Sequence, residues 1–102
     1  MKFWVIKNSF FPIGYRGIVL WPFVFMRPTK DEAYNRRLFR HELQHCYQIE
    51  QAGIVRFYVR YLWLLFIHGY KNHPDEVEAY QSQNLPLSKK QIVWYITGKI
   101  NL

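Results

Sequence analysis

Residues 41–45 read His-Glu-Leu-Gln-His, with two histidines four positions apart and a glutamate directly after the first. On an α-helix, positions four apart lie one turn apart on the same face. Two neutral imidazoles held in this way bind one Zn²⁺ at about 2.0–2.1 Å. Glu42 is offset around the helix, so it reaches the attacking water rather than the metal and suits a general base. The pattern predicts a hydrolytic zinc site on His41 and His45.

A catalytic zinc ion of this kind needs a third protein ligand. A third histidine farther along the same helix is absent, because positions 48 and 51 are glutamines. The segment HPDEVEAY, residues 73–80, instead offers Glu76 and Glu78 on a separate predicted helix. A carboxylate from a second helix is the other common third ligand. The spacing alone leaves both glutamates as candidates for a site that holds one zinc ion per chain.

These segments resemble a known family of metallopeptidases. His41-Glu42-x-x-His45, followed by Glu76-x-x-Ala79, is similar to the gluzincins and most of all to their smallest members, the minigluzincins. The two segments are also similar to short phage or bacterial metallopeptidases with the pattern HExxHxxQ…NPxExEA. The resemblance runs from about residue 23 to residue 83.

The resemblance implies that the substrate is a peptide or a protein. It makes His41, His45 and Glu76 the zinc ligands and Glu42 the general base. Glu78 lies about 200° around the helix from Glu76 and stays the alternative third ligand.

The chain departs from the family in one respect. Many relatives have an aspartate four residues after the ligand glutamate, where it orients a ligand histidine, and this chain has Tyr80 there. We expect either that Tyr80 or Gln48 takes that role or that the site binds metal less well. A donor to the oxyanion of the reaction is also needed. The candidates for that donor are His68, Tyr70, His73 and Tyr80.

Two further expectations concern the surroundings of the site. In such enzymes the strand before the active-site helix forms the rim of the cleft and pairs with an extended substrate, which here falls on residues 24–26. The last predicted helix, residues 88–97, is expected to lean over the cleft and restrict access to it.

The rest of the chain indicates one α+β domain, residues 1–102. An N-terminal antiparallel sheet of two or three strands, built from residues 2–6 and 18–26, precedes four helices over residues 29–53, 54–68, 75–83 and 88–97. Residues 10–17 contain Pro12 and Gly14 and are predicted to form a loop or an edge strand. The single cysteine, Cys46, excludes an intrachain disulfide and a zinc cage of cysteines, and it falls on the apolar side of its helix.

Charge and hydropathy suggest further partners. The net charge of +7 favours contact with polyanions or a peripheral membrane surface, although no dedicated nucleic-acid motif is present. The apolar segment 53–70 is interrupted by Arg56 and Arg60 and is predicted to be a core helix rather than a membrane span.

With no signal peptide in the sequence, we expect a cytoplasmic protein. Two rival hypotheses are a non-catalytic zinc-binding interaction module and a basic protein that binds nucleic acid or a membrane surface.

Overall fold

The computed structural model describes residues 1–7 and 16–102. Along these residues, three strands are followed by four helices and a final short strand. The described strands are β1 (Lys2–Lys7), β2 (Gly17–Leu20), β3 (Phe23–Met26) and β4 (Lys99–Asn101). The helices are α1 (Glu32–Ala52), α2 (Ile54–His68), α3 (Pro74–Ser82) and α4 (Lys89–Thr97). The predicted α+β class is confirmed. A loop or an edge strand was expected over residues 10–17. Positions 10–15 of that segment lie outside the described residues, and Gly17 is the first residue of β2.

The sheet differs in detail from the expected N-terminal antiparallel one. Its strand order is β2-β3-β1-β4, and β1 runs parallel to β3. β2 and β3 form an antiparallel hairpin, while β4 returns from the C-terminal end and pairs antiparallel with β1. A strand of three residues carries too little alternation to be recognised in a sequence, and its pairing with β1 is what defines it.

Strand β3 lies inside the sheet rather than at its edge. It pairs with β2 on one side and with β1 on the other, so its backbone groups are engaged along both edges. Its side chains Val24 and Met26 are buried in the core. The prediction that residues 24–26 form the substrate-pairing rim is therefore wrong. The outer strands of the described sheet are β2 and β4, and the residues of β2 line the cleft described below.

The helix ends follow the capping residues that the sequence offers. Helix α1 begins after Asp31, whose side chain accepts a hydrogen bond from a backbone N–H of the first turn, and it ends at Gly53 with φ of 91°. Helix α4 begins after Ser88, which forms a capping box with Gln91. The predicted helices therefore agree with the observed ones to within three residues at each end.

The core lies between the sheet and one face of α1. That face contributes Phe39, Leu43, Cys46 and Ile49, all essentially inaccessible to solvent. The interior position expected for Cys46 is confirmed. The sheet contributes Phe3, Val24, Met26 and Ile100. Because the apolar residues of α1 face the sheet, its histidines project from the other side, toward α2 and α3.

Helix α4 packs on the sheet side of α1, away from the histidines. Trp94 is buried in the core, and the Tyr95 ring meets the Phe39 ring edge-on at 5.2 Å. None of the described residues that line the cleft belongs to α4. The expectation that this helix restricts access to the cleft is therefore wrong, because its apolar face is satisfied by the core.

Within residues 1–7 and 16–102, no helix is both long enough and apolar enough to cross a membrane.

Candidate metal centre

Helix α1 carries the His-Glu-Leu-Gln-His segment in its middle, where both turns are fully formed. His41, Glu42 and His45 are all buried, with no more than 6% of each residue exposed. The histidine rings lie one turn apart, with centroids separated by 5.1 Å. Burying three polar side chains is costly unless they are paired, so their partners decide what the cluster does.

Glu76 of α3 brings a carboxylate to both histidines. Its carboxylate lies 3.1 Å from His41 Nε2 and 3.2 Å from His45 Nε2. The three ligand atoms lie within 4.8 Å of one another. Two imidazole nitrogens and one carboxylate oxygen thus converge from two helices on one buried point.

Glu78 points elsewhere. Its Oε1 accepts hydrogen bonds from Gln44 Nε2 at 2.7 Å and from Gln48 Nε2 at 3.1 Å. It is an exposed residue. Of the two candidate third ligands, the structure brings Glu76 and not Glu78 to the histidines, because side chains two apart on a helix point in nearly opposite directions.

Each histidine is oriented by a glutamine. His45 Nδ1 lies 2.8 Å from Gln48 Oε1, and His41 Nδ1 lies 3.2 Å from Gln83 Oε1. An amide oxygen only accepts, so each Nδ1 carries the proton and each Nε2 faces Glu76. This is the arrangement in which a hydrogen bond on one ring nitrogen fixes the other for a metal.

The two partners of the histidines were not equally visible in the sequence. Gln48 follows His45 by less than one turn of the same helix, so its position could be predicted. Gln83 lies 42 positions after His41 and was missed. Tyr80 contacts His41 through its ring, with centroids 4.7 Å apart and the planes nearly perpendicular. It packs against the histidine instead of accepting its proton.

Tyr61 of α2 is a second residue that sequence reasoning missed. Its hydroxyl donates to Glu76 Oε2 and so occupies the carboxylate oxygen farther from His41. The one available signal was a tyrosine in an apolar helix, since a buried hydroxyl needs a partner. Burial and this hydrogen bond raise the pKa of Tyr61 above its ordinary value, so the hydroxyl keeps its proton and remains a donor.

The start of α3 is anchored to α2, and this anchoring sets the position of Glu76. Arg60 Nη1 donates to both carboxylate oxygens of Asp75, at 2.7 and 2.8 Å. The His73 side chain caps the helix by accepting from the Asp75 N–H at 3.1 Å. Its Nε2 therefore carries the proton and donates to the Tyr61 carbonyl at 2.9 Å. His73 is a structural residue of this junction rather than a group that faces the cleft.

Glu42 lies against the first residue of β2. A Cβ at Gly17 would come within 2.8 Å of Glu42 Oε1, so only a glycine leaves this carboxylate its place. No donor among the described residues reaches Glu42 Oε2, which is buried. Burial raises the pKa of the Glu42 carboxyl, while the neighbouring His45 and His41 act in the opposite direction. A buried carboxylate oxygen without a protein donor beside three ligand atoms fits a site that places a water molecule there.

A cleft opens on both sides of Glu42. One lobe, of about 340 Å³, is mostly apolar and is lined by β2 and by Phe57, Tyr58, Leu62 and Leu65 of α2. The other lobe, of about 290 Å³, is lined by polar and basic side chains, namely Arg16, Tyr34, Arg37, Tyr80 and Gln83. The lobes share Gly17, His41, Glu42 and Tyr70.

Of the four candidate oxyanion donors, two line the cleft and two do not. Tyr70 lines both lobes of the cleft, and Tyr80 lines the basic lobe. Neither lobe, as far as it is formed by described residues, includes His68 or His73. Burial and a hydrogen bond to Tyr80 raise the pKa of Tyr70, which keeps the hydroxyl protonated.

The charges of the cluster are balanced between Glu76 and His45. Burial favours a neutral Glu76, but its contacts with the His41 and His45 rings outweigh burial and hold the Glu76 pKa well below its ordinary value. Burial also opposes a charged His45, but the hydrogen bond to Glu76 and the charge of Glu42 raise its pKa to about 9. In the metal-free cluster, a protonated His45 therefore pairs with the ionised Glu76 carboxylate.

This balance predicts how the stability of the metal-free protein depends on pH. A histidine whose pKa rises on folding stabilises the fold below its ordinary value of 6.5, and the stabilisation is lost as the pH rises toward 9. We expect the free energy of unfolding in urea to fall by on the order of 3 kcal/mol across this interval. Zinc requires neutral imidazoles, so the stabilisation by added zinc should grow over the same interval.

Two variants test whether His45 causes this pH dependence of the free energy of unfolding. His45→Gln removes the titrating group and should flatten the pH dependence, whereas His68→Gln, at an exposed position on α2, should leave it as in wild type. A metal-free wild-type protein whose stability is constant between these pH values would contradict the pairing of protonated His45 with Glu76.

No protein-family model, curated protein or solved structure matches this chain. The fold and the site together define an α+β protein with a buried group of His41, His45 and Glu76 that is able to bind a metal ion.

Proposed function

We propose that the chain is a zinc-dependent metallopeptidase of the gluzincin type. The observation that carries the proposal is the convergence of His41, His45 and Glu76 at the floor of an open cleft, with Glu42 buried beside them. A purely structural polar cluster would not need a buried carboxylate oxygen that lacks a donor. Glu42 Oε2 is buried, and no donor among the described residues reaches it.

Zinc is the metal that the donor set favours. Two imidazoles and one glutamate, with no thiolate and no third histidine, are the ligands of peptidase zinc sites, whereas magnesium and calcium prefer oxygen donors alone. His41, His45 and Glu76 would hold the ion, and their glutamine and tyrosine partners would keep them oriented. When bound, zinc acts as a Lewis acid on the peptide carbonyl and lowers the pKa of water at its open position.

Glu42 supplies the base of the proposed reaction. Its carboxylate accepts a proton from the attacking water and then returns it to the leaving amine. Gly17 confines the carboxylate on one side, and burial raises its pKa, which makes it a stronger base. The tetrahedral oxyanion needs a donor, and we assign that role to Tyr70, whose protonated hydroxyl lines both lobes of the cleft.

Strand β2 is the surface that we assign to the substrate backbone. An extended peptide can add to the outer edge of a sheet through main-chain hydrogen bonds. Tyr58 already donates its hydroxyl to the Val19 carbonyl at 2.9 Å, so that acceptor is occupied. The part of the edge left for a peptide is therefore the part near Gly17, next to Glu42.

The two lobes suggest which substrates fit. The apolar lobe suits a large apolar side chain on one side of the scissile bond. The basic lobe carries Arg16 and Arg37, for which the described residues supply no carboxylate partner. Residues 8–15 contain no Asp or Glu either. An acidic side chain or a terminal carboxylate on the other side of the scissile bond would pair with these arginines.

The proposal predicts metal-dependent cleavage of peptides. Zinc-loaded protein, incubated with a diverse peptide mixture, should produce new termini detected by mass spectrometry. Cleavage should stop when zinc is removed by a chelator and return when zinc, but not magnesium, is restored, because only zinc suits the nitrogen donors.

The rival hypotheses give different results in the same assay. A non-catalytic zinc-binding module would hold zinc and cleave nothing. Cleavage that persists after chelation, at the same sites and rates, would show that this site does not perform it.

A further inference from the structure

Helix α2 presents an apolar face to solvent. Phe66 is 85% exposed, the largest value among the exposed hydrophobic side chains of the described residues, and five neighbours on the same helix are more than half exposed. Taking 100° per residue, most of these side chains fall within an arc of about 100°. Scattered exposed apolar residues are ordinary, but a continuous helical stripe of them marks a surface that binds something. We call this stripe the outer face of α2; it consists of Val55, Val59, Leu62, Trp63, Phe66 and Ile67.

The charges around the outer face select its partner. Helix α2 contains no Asp or Glu, while Arg56 lies between Trp63 and Ile67 around the helix, near one margin of the stripe, and Lys71 follows the helix. The nearby Asp75 is already neutralised by Arg60. The whole chain carries +7. A second copy of this face would bring the same cations together without carboxylates to meet them, whereas an anionic lipid surface supplies the opposite charge.

The composition of the face also suits a lipid interface. An amphipathic helix that lies in the headgroup region buries Trp, Phe and Leu by a few ångströms and keeps basic residues at the polar level. Arg56 can extend its aliphatic stem along the apolar stripe and keep its guanidinium among the phosphates. The helix has 15 residues, fewer than the roughly 20 that a spanning helix needs, so the contact that we infer lies at the membrane surface.

We propose that the outer face of α2 docks the protein on an anionic membrane surface. Its apolar stripe enters the interface, and Arg56 and Lys71 meet the lipid headgroups. The docking itself does not depend on a metal ion or on hydrolysis. The inner side of the same helix lines the apolar lobe of the cleft, and Leu62 belongs to both surfaces. If the proposed peptidase function holds, the cleft opens next to the membrane and favours chain segments that lie close to it.

Sedimentation with lipid vesicles tests the docking. Wild-type protein should sediment with phosphatidylcholine vesicles that contain phosphatidylserine, and more weakly with phosphatidylcholine alone. The double variant Trp63→Ser/Phe66→Ser removes two exposed anchors and should lower the partition coefficient by at least about tenfold, since two large apolar side chains no longer enter the interface. The matched control Val93→Ser/Ile96→Ser changes two exposed apolar residues of α4 and should bind like wild type.

Other outcomes overturn the proposal. If wild type stays in the supernatant with phosphatidylserine vesicles, the face does not dock on membranes. If the Trp63→Ser/Phe66→Ser variant sediments as well as wild type, binding comes from net charge and not from this face. Light scattering completes the comparison: a wild-type dimer that this variant dissociates, with no vesicle binding, would assign the face to contact between two copies.

Discussion

Replacing Glu76 by glutamine is expected to remove zinc from the protein. Glu76 is the residue that both histidines face, at 3.1 and 3.2 Å, and an amide is a poor ligand for zinc. Losing even a partner that only orients a ligand lowers metal affinity by 10–100-fold, so losing the ligand itself should lower it by more than about 100-fold. Elemental analysis after equal purification should find about one zinc per chain in wild type and almost none in Glu76→Gln.

Glu78→Gln is the matched control. It makes the same chemical change two residues farther along α3, at a carboxylate that contacts Gln44 and Gln48 instead of the histidines. Zinc content should stay near that of wild type, with an affinity loss of less than about tenfold through the weakened hold on Gln48. Equal zinc content in both variants would mean that Glu76 is not a zinc ligand. No zinc in wild type after it is supplied would mean that the cluster is a metal-free polar network.

The part of the site that depends on one helix could be predicted from the sequence. The spacing of His41 and His45 is a local property, because helix geometry alone places them on one face with Gln48 near them. Apolar residues at helical spacing likewise predicted that Cys46 is buried. The capping residues gave the helix ends for the same reason, since caps act on the turn that follows them.

The part that depends on packing between elements could not be derived from helix spacing, which left both Glu76 and Glu78 open; only the family resemblance favoured Glu76. Glu76 reaches the histidines because Arg60 and His73 fix the start of α3 against α2, and these contacts leave no periodic pattern in the sequence. Tyr61 and Gln83 were missed because their partners lie 15 and 42 positions away. Strand pairing is equally non-local: the parallel pairing of β1 with β3, which turns residues 24–26 into an inner strand, joins segments about twenty positions apart.

Glu42→Gln is expected to abolish most peptide hydrolysis while leaving the metal in place. Glutamine has nearly the same shape but cannot take a proton from water at neutral pH, and removing a general base costs about 10²–10⁴-fold in rate. Glu42 is not among the three converging ligands, so zinc content should equal that of wild type. The substitution also removes a carboxylate that burial disfavours, so the free energy of unfolding should not fall.

The rate should be measured at a single cleavage site identified with wild-type protein, and Glu50→Gln serves as the control. Glu50 lies on the same helix but is partly exposed and pairs with the N-terminal amine at 3.3 Å, so its replacement should leave the rate unchanged. Equal rates for Glu42→Gln and wild type would remove the peptidase proposal even if zinc is bound. Loss of rate together with loss of zinc would instead make Glu42 part of the metal's coordination, because a general base acts on the substrate water and not on the affinity for the metal.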